Sequence, residues 1–455
     1  MSVMAAMTDK QGLNDLLAAH FVPASLEELV VKRRDFPHWM RPDLQKALAA
    51  LFGGDGEHRL VGARMRGVDL DFCFADLLQD GATGIALAPV LYDDIEIGEE
   101  KPVRCVRRGL WLASRCGIRF ALLIDVSEGY RHVRARVEVA VFPEDANEAF
   151  AAQLLCELRA AAESAESWRG KTLVIEPPQE EFALSAAGPR VERFEAVRRD
   201  DLILRADTLA LIERNTIRFA ERADALAALG LSPKKGVLLY GPPGTGKTLV
   251  VRWLCSALDG YSKLIVTAGH YGLLEETLSI ARLLQPALVV LEDVDLVGGD
   301  RDGPWAGPGR ILNMLLNEMD GLPREARLMF VLTTNRPEVL EPALAARPGR
   351  VDQAIEIGLP EEAERRLLVE RYAGRVAIRG EVAAHVARRI GRVSPAFIKE
   401  LMRRAAQAML ERDGEVIEVR DAEAALHDMI GAGLGIGARV LGAGSGIGFT
   451  AAVLE

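Results

Sequence analysis

Apolar positions change their spacing three times along the chain. Leu13, Leu16 and Leu17, then Leu44, Leu48 and Leu51, recur every three or four residues, so the stretch to about residue 55 is predicted to be helical. Gly53-Gly54-Asp55-Gly56 ends it. From about Arg59 to Phe142 the apolar runs shorten to strand length, as in Leu110-Trp111-Leu112 and Phe120-Ala121-Leu122-Leu123-Ile124. Val133, Ala135, Val137, Val139 and Val141 alternate with Arg134, Arg136 and Glu138, the period of two of a half-buried strand. A helix from about Asn147 to Glu166, a strand at Thr172 to Ile175, and a linker marked by Pro177-Pro178 and Gly188-Pro189 follow. Residues 1–189 therefore read as a mixed α+β domain.

From Val191 the rhythm becomes strand, helix, strand. A helix is predicted from about Asp207 to Leu229, closed by Gly230 as its C′ residue. Strands are predicted at Val237 to Tyr240, Lys263 to Thr267, Leu288 to Leu291, Leu328 to Thr333 and Ala354 to Ile357. Each is a nearly continuous apolar run, which suits parallel strands covered on both faces. Residues 190–358 thus predict an α/β domain with a doubly wound parallel sheet. Beyond Pro360 the strands stop, and four helices are predicted for residues 359–430: Glu361 to Ala373, Glu381 to Ile390, Pro395 to Arg412 and Ala422 to Met429. Ser394 before Pro395 is an N-cap followed by an N1 proline, and Asp421 suits the cap of the last helix. The tail, residues 431–455, is too rich in glycine for a regular element. Its Gly433, Gly435 and Ala438 match G-x-G-x-x-A, but no strand precedes them, so no dinucleotide site is assigned.

Composition narrows the partners. The 455 residues exceed what one core usually serves. A net charge of −10 argues against a dedicated nucleic-acid binder, which needs a basic face. Five cysteines, odd in number and without a C-x-x-C pair, fit reduced thiols in a cytoplasmic compartment and give no metal site. The first residues lack the apolar core of a secretory signal, and no window approaches the ~20 apolar residues of a membrane span. Asp93, Asp94, Glu96 and the pairs of arginines read as a solvated surface, with a docking face as the alternative.

Chemistry concentrates in the α/β part. Gly241-Pro242-Pro243-Gly244-Thr245-Gly246-Lys247-Thr248, entered from a buried run and left through Leu249, is a phosphate-binding loop between strand and helix. Its glycines let backbone N–H groups curl around an anion, and the helix that follows points its positive end at the same place. Lys247 reaches the β- and γ-phosphates of a nucleotide, and the Thr248 hydroxyl is placed to hold Mg²⁺. A second apolar run, Leu288 to Leu291, ends in Glu292-Asp293, with Asp295 two residues on. Carboxylates at the end of a buried strand suit a Mg²⁺ partner and a base that activates water. Asn335, after Thr333-Thr334, offers an amide to a γ-phosphate or its attacking water.

These motifs resemble the AAA branch of the AAA+ ATPases. The loop at Gly241 to Thr248, the acidic strand Leu288 to Asp293, Met319 to Leu322, and Thr333 to Asp352 occur in the family's order, and the resemblance covers about Val191 to Ile430. It implies a P-loop NTPase domain with a helical lid, ATP and Mg²⁺ as cofactors, and self-association into a ring, usually a hexamer. By the same resemblance Thr248 and Glu292 serve the metal, Asp293 is the base, Asn335 is sensor 1, and Arg347 and Arg350 are arginine fingers. Four departures stand out: Glu292-Asp293 reverses the usual Asp-Glu order, the chain between Pro342 and Arg347 is one residue longer than the commonest spacing, Gln353 replaces a third arginine, and Ser394-Pro395-Ala396 replaces Gly-Ala-Asp. The resemblance places Tyr271, within His270 to Leu273, in a pore loop gripping a protein client; a locally packed capping loop is the alternative. Gly298 to Gly309, with Trp305, is a second candidate loop. The expected function is a ring-forming ATPase that remodels or unfolds protein, with residues 1–189 choosing the client. The alternatives are a slow ATP-gated switch and, less well supported, a nucleic-acid motor.

Overall fold

The computed structural model describes residues 13–23, 25–54, 57–64, 72–78, 86–128, 133–176, 188–267, 273–296, 317, 321, 323–340 and 351–431. The chain divides into two compact units, Met1–Glu192 and Arg193–Glu455.

The first unit is built on an antiparallel sheet. Its strands are β1 (Val30–Pro37), β2 (His58–Arg64), β3 (Ala86–Ala88), β4 (Leu91–Ile95), β5 (Val103–Arg115), β6 (Ile118–Glu128) and β7 (Val133–Val141). They run in the order β1-β7-β6-β5-β2-β3, with β4 beside β5. Ala135, Val137 and Val139 are fully buried, as the alternation along β7 requires. Glu138, on the opposite register, is buried too, because the short helix Phe74–Leu78 starts above it and Phe74 N–H donates to its carboxylate.

Several expectations for this unit are corrected. The residues to about 55 contain the helices Leu13–Phe21 and Arg41–Phe52, but Val30–Pro37 between them is a strand paired along its length with β7. It is the outer strand of the sheet, and Lys32, Arg33, Arg34 and Asp35 hide its alternation, as charges on edge strands do. Asp93 is no plain solvated group: it lies 2.7 Å from Arg41, whose side chain is 2 % exposed. Gly188-Pro189, read as linker, opens β9 (Gly188–Val191), which pairs antiparallel with β8 (Thr172–Glu176).

The second unit has the predicted parallel sheet. Strands β10 (Lys235–Tyr240), β11 (Ser262–Val266), β12 (Ala287–Leu291), β13 (Leu328–Thr334) and β14 (Gln353–Glu356) lie in the order β14-β10-β13-β12-β11. Every residue of β11, β12 and β13 is buried, which is why the runs are nearly all apolar, with Ser262, Lys263, Thr333 and Thr334 as buried polar exceptions. The helix expected from Asp207 to Leu229 is three pieces, Ala206–Asn215, Ile217–Glu221 and Ala223–Ala228. At the first break the hydroxyl of the buried Thr216 donates back to Ile212 O at 2.7 Å, and Asn215 Nδ2 donates to Leu211 O at 2.9 Å. Such back-bonding competes with the helix ladder and bends it.

The lid helices are Glu362–Tyr372, Val382–Arg389, Pro395–Glu411 and Val419–Gly431. Val369, Val382, Ile398 and Leu401 are among the side chains of their shared core. The strands do not stop entirely at Pro360, since β15 (Ala377–Ile378) and β16 (Val416–Ile417) form a short parallel pair. Ser394 caps as expected, its hydroxyl accepting from Phe397 N–H at 3.3 Å. Asp421 accepts from Glu418 N–H at 2.8 Å and is held by Arg412 at 2.7 Å.

Candidate functional site

The phosphate-binding loop leaves β10 and enters the helix Lys247–Ala257. Gly241 has φ +147°, and a Cβ there would stand 2.2 Å from Ile357 O, so the loop passes too close to the end of β14 for any other residue. Gly244 meets the lid in the same way: its carbonyl accepts from Ala396 N–H at 3.2 Å, and a Cβ on it would come within 2.9 Å of Ala396 Cβ. Nothing lies within 4 Å of a Cβ built on Gly246, so the mouth of the loop is open. Thr245 fastens the loop internally by donating to Pro242 O at 2.9 Å.

Lys247 is buried at 6 % exposure. Its ammonium donates to Gly241 O at 2.8 Å and Pro242 O at 3.0 Å. Burial lowers its pKa, while the charges of Asp293 and Asp295 raise it. At the end of β12, Glu292 N–H donates to Val266 O at 3.0 Å, and the Glu292 carboxylate accepts a hydrogen bond from Thr248. Burial pushes that carboxyl up; the Thr248 hydrogen bond pulls it down, Asp293 raises it and Arg252 lowers it.

Asp293 and Asn335 face each other across the ends of β12 and β13. Asn335 Nδ2 donates to Asp293 Oδ1 at 3.2 Å. Both line one cavity of about 660 Å³, together with Lys247 and Thr248. Ile203, Leu368, Tyr372 and Ala396 contribute apolar lining to it, and Glu195, Asp201, Arg371 and Lys399 contribute charge. An anion-binding loop and apolar side chains lining one cavity suit a ligand with a phosphate chain and a flat base.

A profile of the ATPase family associated with various cellular activities (AAA) matches residues 237–359. Residues 237–359 are an AAA ATPase domain. An AAA ATPase domain implies ATP hydrolysis. The 26S proteasome regulatory subunit S10B homolog B of Arabidopsis thaliana is 39% identical over 166 residues, covering 34% of this chain and 41% of that protein. The ATP-dependent zinc metalloprotease FtsH 3 of Sorangium cellulosum is 34% identical over 206 residues, covering 42% of this chain and 34% of that protein. FtsH of Mesoplasma florum is 32% identical over 241 residues, covering 49% and 37%. The chain thus spans less than half the length of each of these three relatives.

AAA ATPases bind ATP, typically with Mg²⁺. The donor set fits both. Thr248 and Glu292 present hydroxyl and carboxylate oxygens, the hard ligands Mg²⁺ prefers, and Lys247 and the loop amides match a phosphate chain. When bound, the cation neutralises charge on the transferring phosphoryl group.

The structure therefore gathers Lys247, Thr248, Glu292, Asp293 and Asn335 at one place. Arg347, Arg350, Tyr271, Trp305 and the run Met319 to Leu322 lie wholly or in part outside the described residues, as do the tail positions Gly433, Gly435 and Ala438. Sequence reading missed the apolar lining. Leu368 and Tyr372, four apart on the first lid helix, carry a spacing signal for it, Ala396 is marked only by the family resemblance, and Ile203 lies in a segment without periodicity.

Proposed function

We propose that this protein is a ring-forming ATPase that uses hydrolysis to remodel or unfold protein clients. The observation that carries the reading is the cavity itself, in which Lys247, Thr248, Asp293 and Asn335 meet under a lid bonded to the loop at Gly244. In this reading Lys247 binds the β- and γ-phosphates, and Thr248 with Glu292 holds Mg²⁺. Asp293 takes the proton of the attacking water, Asn335 orients that water, and Arg347 and Arg350 enter the neighbouring subunit's site. Two kinds of relative, one named for the proteasome and one for an ATP-dependent protease, support a protein client. Five free thiols support a reducing, cytoplasmic setting. Among the described residues no helix is long and apolar enough to cross a membrane.

Electron microscopy with a slowly hydrolysed ATP analogue tests the ring, with hexamers expected. Turnover per subunit should rise with protein concentration and collapse when Arg347→Ala or Arg350→Ala subunits are mixed in. A monomer with concentration-independent turnover removes this reading. Tyr271→Ala is expected to stop client unfolding while sparing hydrolysis.

A second reading is favoured by the Glu292-Asp293 order: an ATP-gated assembly switch whose hydrolysis is slow. Turnover below about one per minute, with assembly governed by nucleotide, would select it.

A further inference from the structure

We propose that Thr333 and Asp295 are positioning residues for hydrolysis, which brace Asp293 and Asn335 in the arrangement that lets an aspartate serve as base. The inference rests on the assignment of Asp293 to that role.

Asp293 has φ +52°, in the left-handed region that side chains other than glycine rarely adopt. Such a conformation persists only where its surroundings hold it. Here Asp293 N–H donates to Thr333 Oγ1 at 2.9 Å, Val294 N–H donates to Thr333 O at 3.0 Å, and Leu296 N–H closes the turn on Asp293 O at 2.9 Å. Thr333 is 2 % exposed, inside β13, so its hydroxyl is a fixed acceptor.

The second half of the brace starts at Asp295, which is 8 % exposed. Its Oδ1 accepts from Thr334 Oγ1 at 2.8 Å and from Asn335 N–H at 3.1 Å. Thr334 Oγ1 in turn accepts from Arg336 N–H at 3.0 Å. The backbone of Asn335 is thereby set, and its amide reaches Asp293. Covalent and hydrogen bonds form a closed circuit from Asp293 through Thr333, Thr334 and Asp295 to Asn335 and back to Asp293. Two of its hydrogen bonds end on Asp293 and a third fixes the backbone of Asn335.

The circuit explains how the reversed order is accommodated. An aspartate side chain is one methylene shorter than glutamate, so its backbone must bring the carboxylate to the water. A left-handed residue just past the strand end re-aims the Cα–Cβ bond, and the Thr333 hydroxyl holds it so. Misplacing a catalytic group by about 1 Å can cost about a hundredfold in rate.

The test uses the full-length protein with steady-state ATP hydrolysis, binding of a fluorescent ATP analogue, and thermal melting. Thr333→Val keeps the volume but removes the acceptor, and kcat is expected to fall about tenfold or more while KM and analogue affinity stay within about twofold. Thr333→Ser restores the hydroxyl and is expected to recover most of kcat. Asp295→Asn is expected to lower kcat about tenfold with the same split, and it carries the test if the valine variant does not fold. Wild-type kcat in the variants that fold overturns the brace, as does a parallel loss of kcat and affinity. Asp293→Asn separates the two levels. If it hydrolyses ATP normally, the base assignment fails and the brace with it. If it is inactive while Thr333→Val and Asp295→Asn turn over normally, the brace alone fails.

Discussion

Asp293, the proposed base, ties that role to a left-handed backbone conformation, so lengthening it is informative. If the usual Asp-Glu order were simply better, Asp293→Glu would speed hydrolysis. The left-handed turn and the Asn335 contact are fitted to the shorter side chain, so Asp293→Glu is expected to slow kcat about tenfold. Steady-state hydrolysis at saturating ATP reads the outcome, and a faster enzyme would contradict it. A second residue-scale prediction concerns His38 in the first unit. Burial, helped by the charge of Arg41 and opposed by that of Asp93, lowers its pKa from 6.5 to about 4. The unfolded chain binds this proton and the folded one does not, so stability is complete above the unfolded pKa and falls as pH drops through the window toward about 4. Between pH 7.5 and pH 5 the loss attributable to His38 is about 2 kcal/mol, and His38→Asn should flatten that part of a denaturant-unfolding series.

Among the elements, the loop, the parallel strands and the lid helices were legible because each is governed by one dominant constraint. Strands buried on both faces must be mostly apolar, and a loop wrapped on phosphate must be glycine-rich. Where two constraints compete, the pattern fails as a guide. Val30–Pro37 reads as anything but a strand, because its outer position favours charge over alternation. The break at Thr216 depends on a hydroxyl bond within the turn, which apolar spacing does not register. The lid contact was hidden for another reason: Gly244 and Ala396 are neighbours in space alone. That contact yields a prediction, since Gly244→Ala would add a methyl 2.9 Å from Ala396 Cβ at φ +75°. It should displace the lid helix and weaken binding of an ATP analogue at least about tenfold. Fluorescence titration measures it, and unchanged affinity would show that the lid seat is dispensable.

At the scale of the molecule, the second unit declares its chemistry in sequence and the first does not. Several charges of the first unit are spent within it, as where Asp125 binds Arg108 at 2.6 Å and accepts from Phe72 N–H at 3.0 Å, so its composition says little about a partner. The chain that leaves it is more telling. Glu195, Val197, Asp201 and Ile203 line the nucleotide cavity, Val197 N–H donates to Ser256 Oγ at 3.2 Å, and Asp201 binds Arg371 of the lid at 2.5 Å. Arg371→Ala is expected to quicken release of an ATP analogue several-fold with little change in melting temperature, because the pair is partly exposed. Stopped-flow dissociation checks this. The same strip of chain follows directly on residues 1–192 and gives Ile203 and Asp201 to the cavity lining. A strain on that strip would be felt first at Ile203 and at the Asp201–Arg371 pair, while Lys247 stays anchored to Gly241 O and Pro242 O within its own loop.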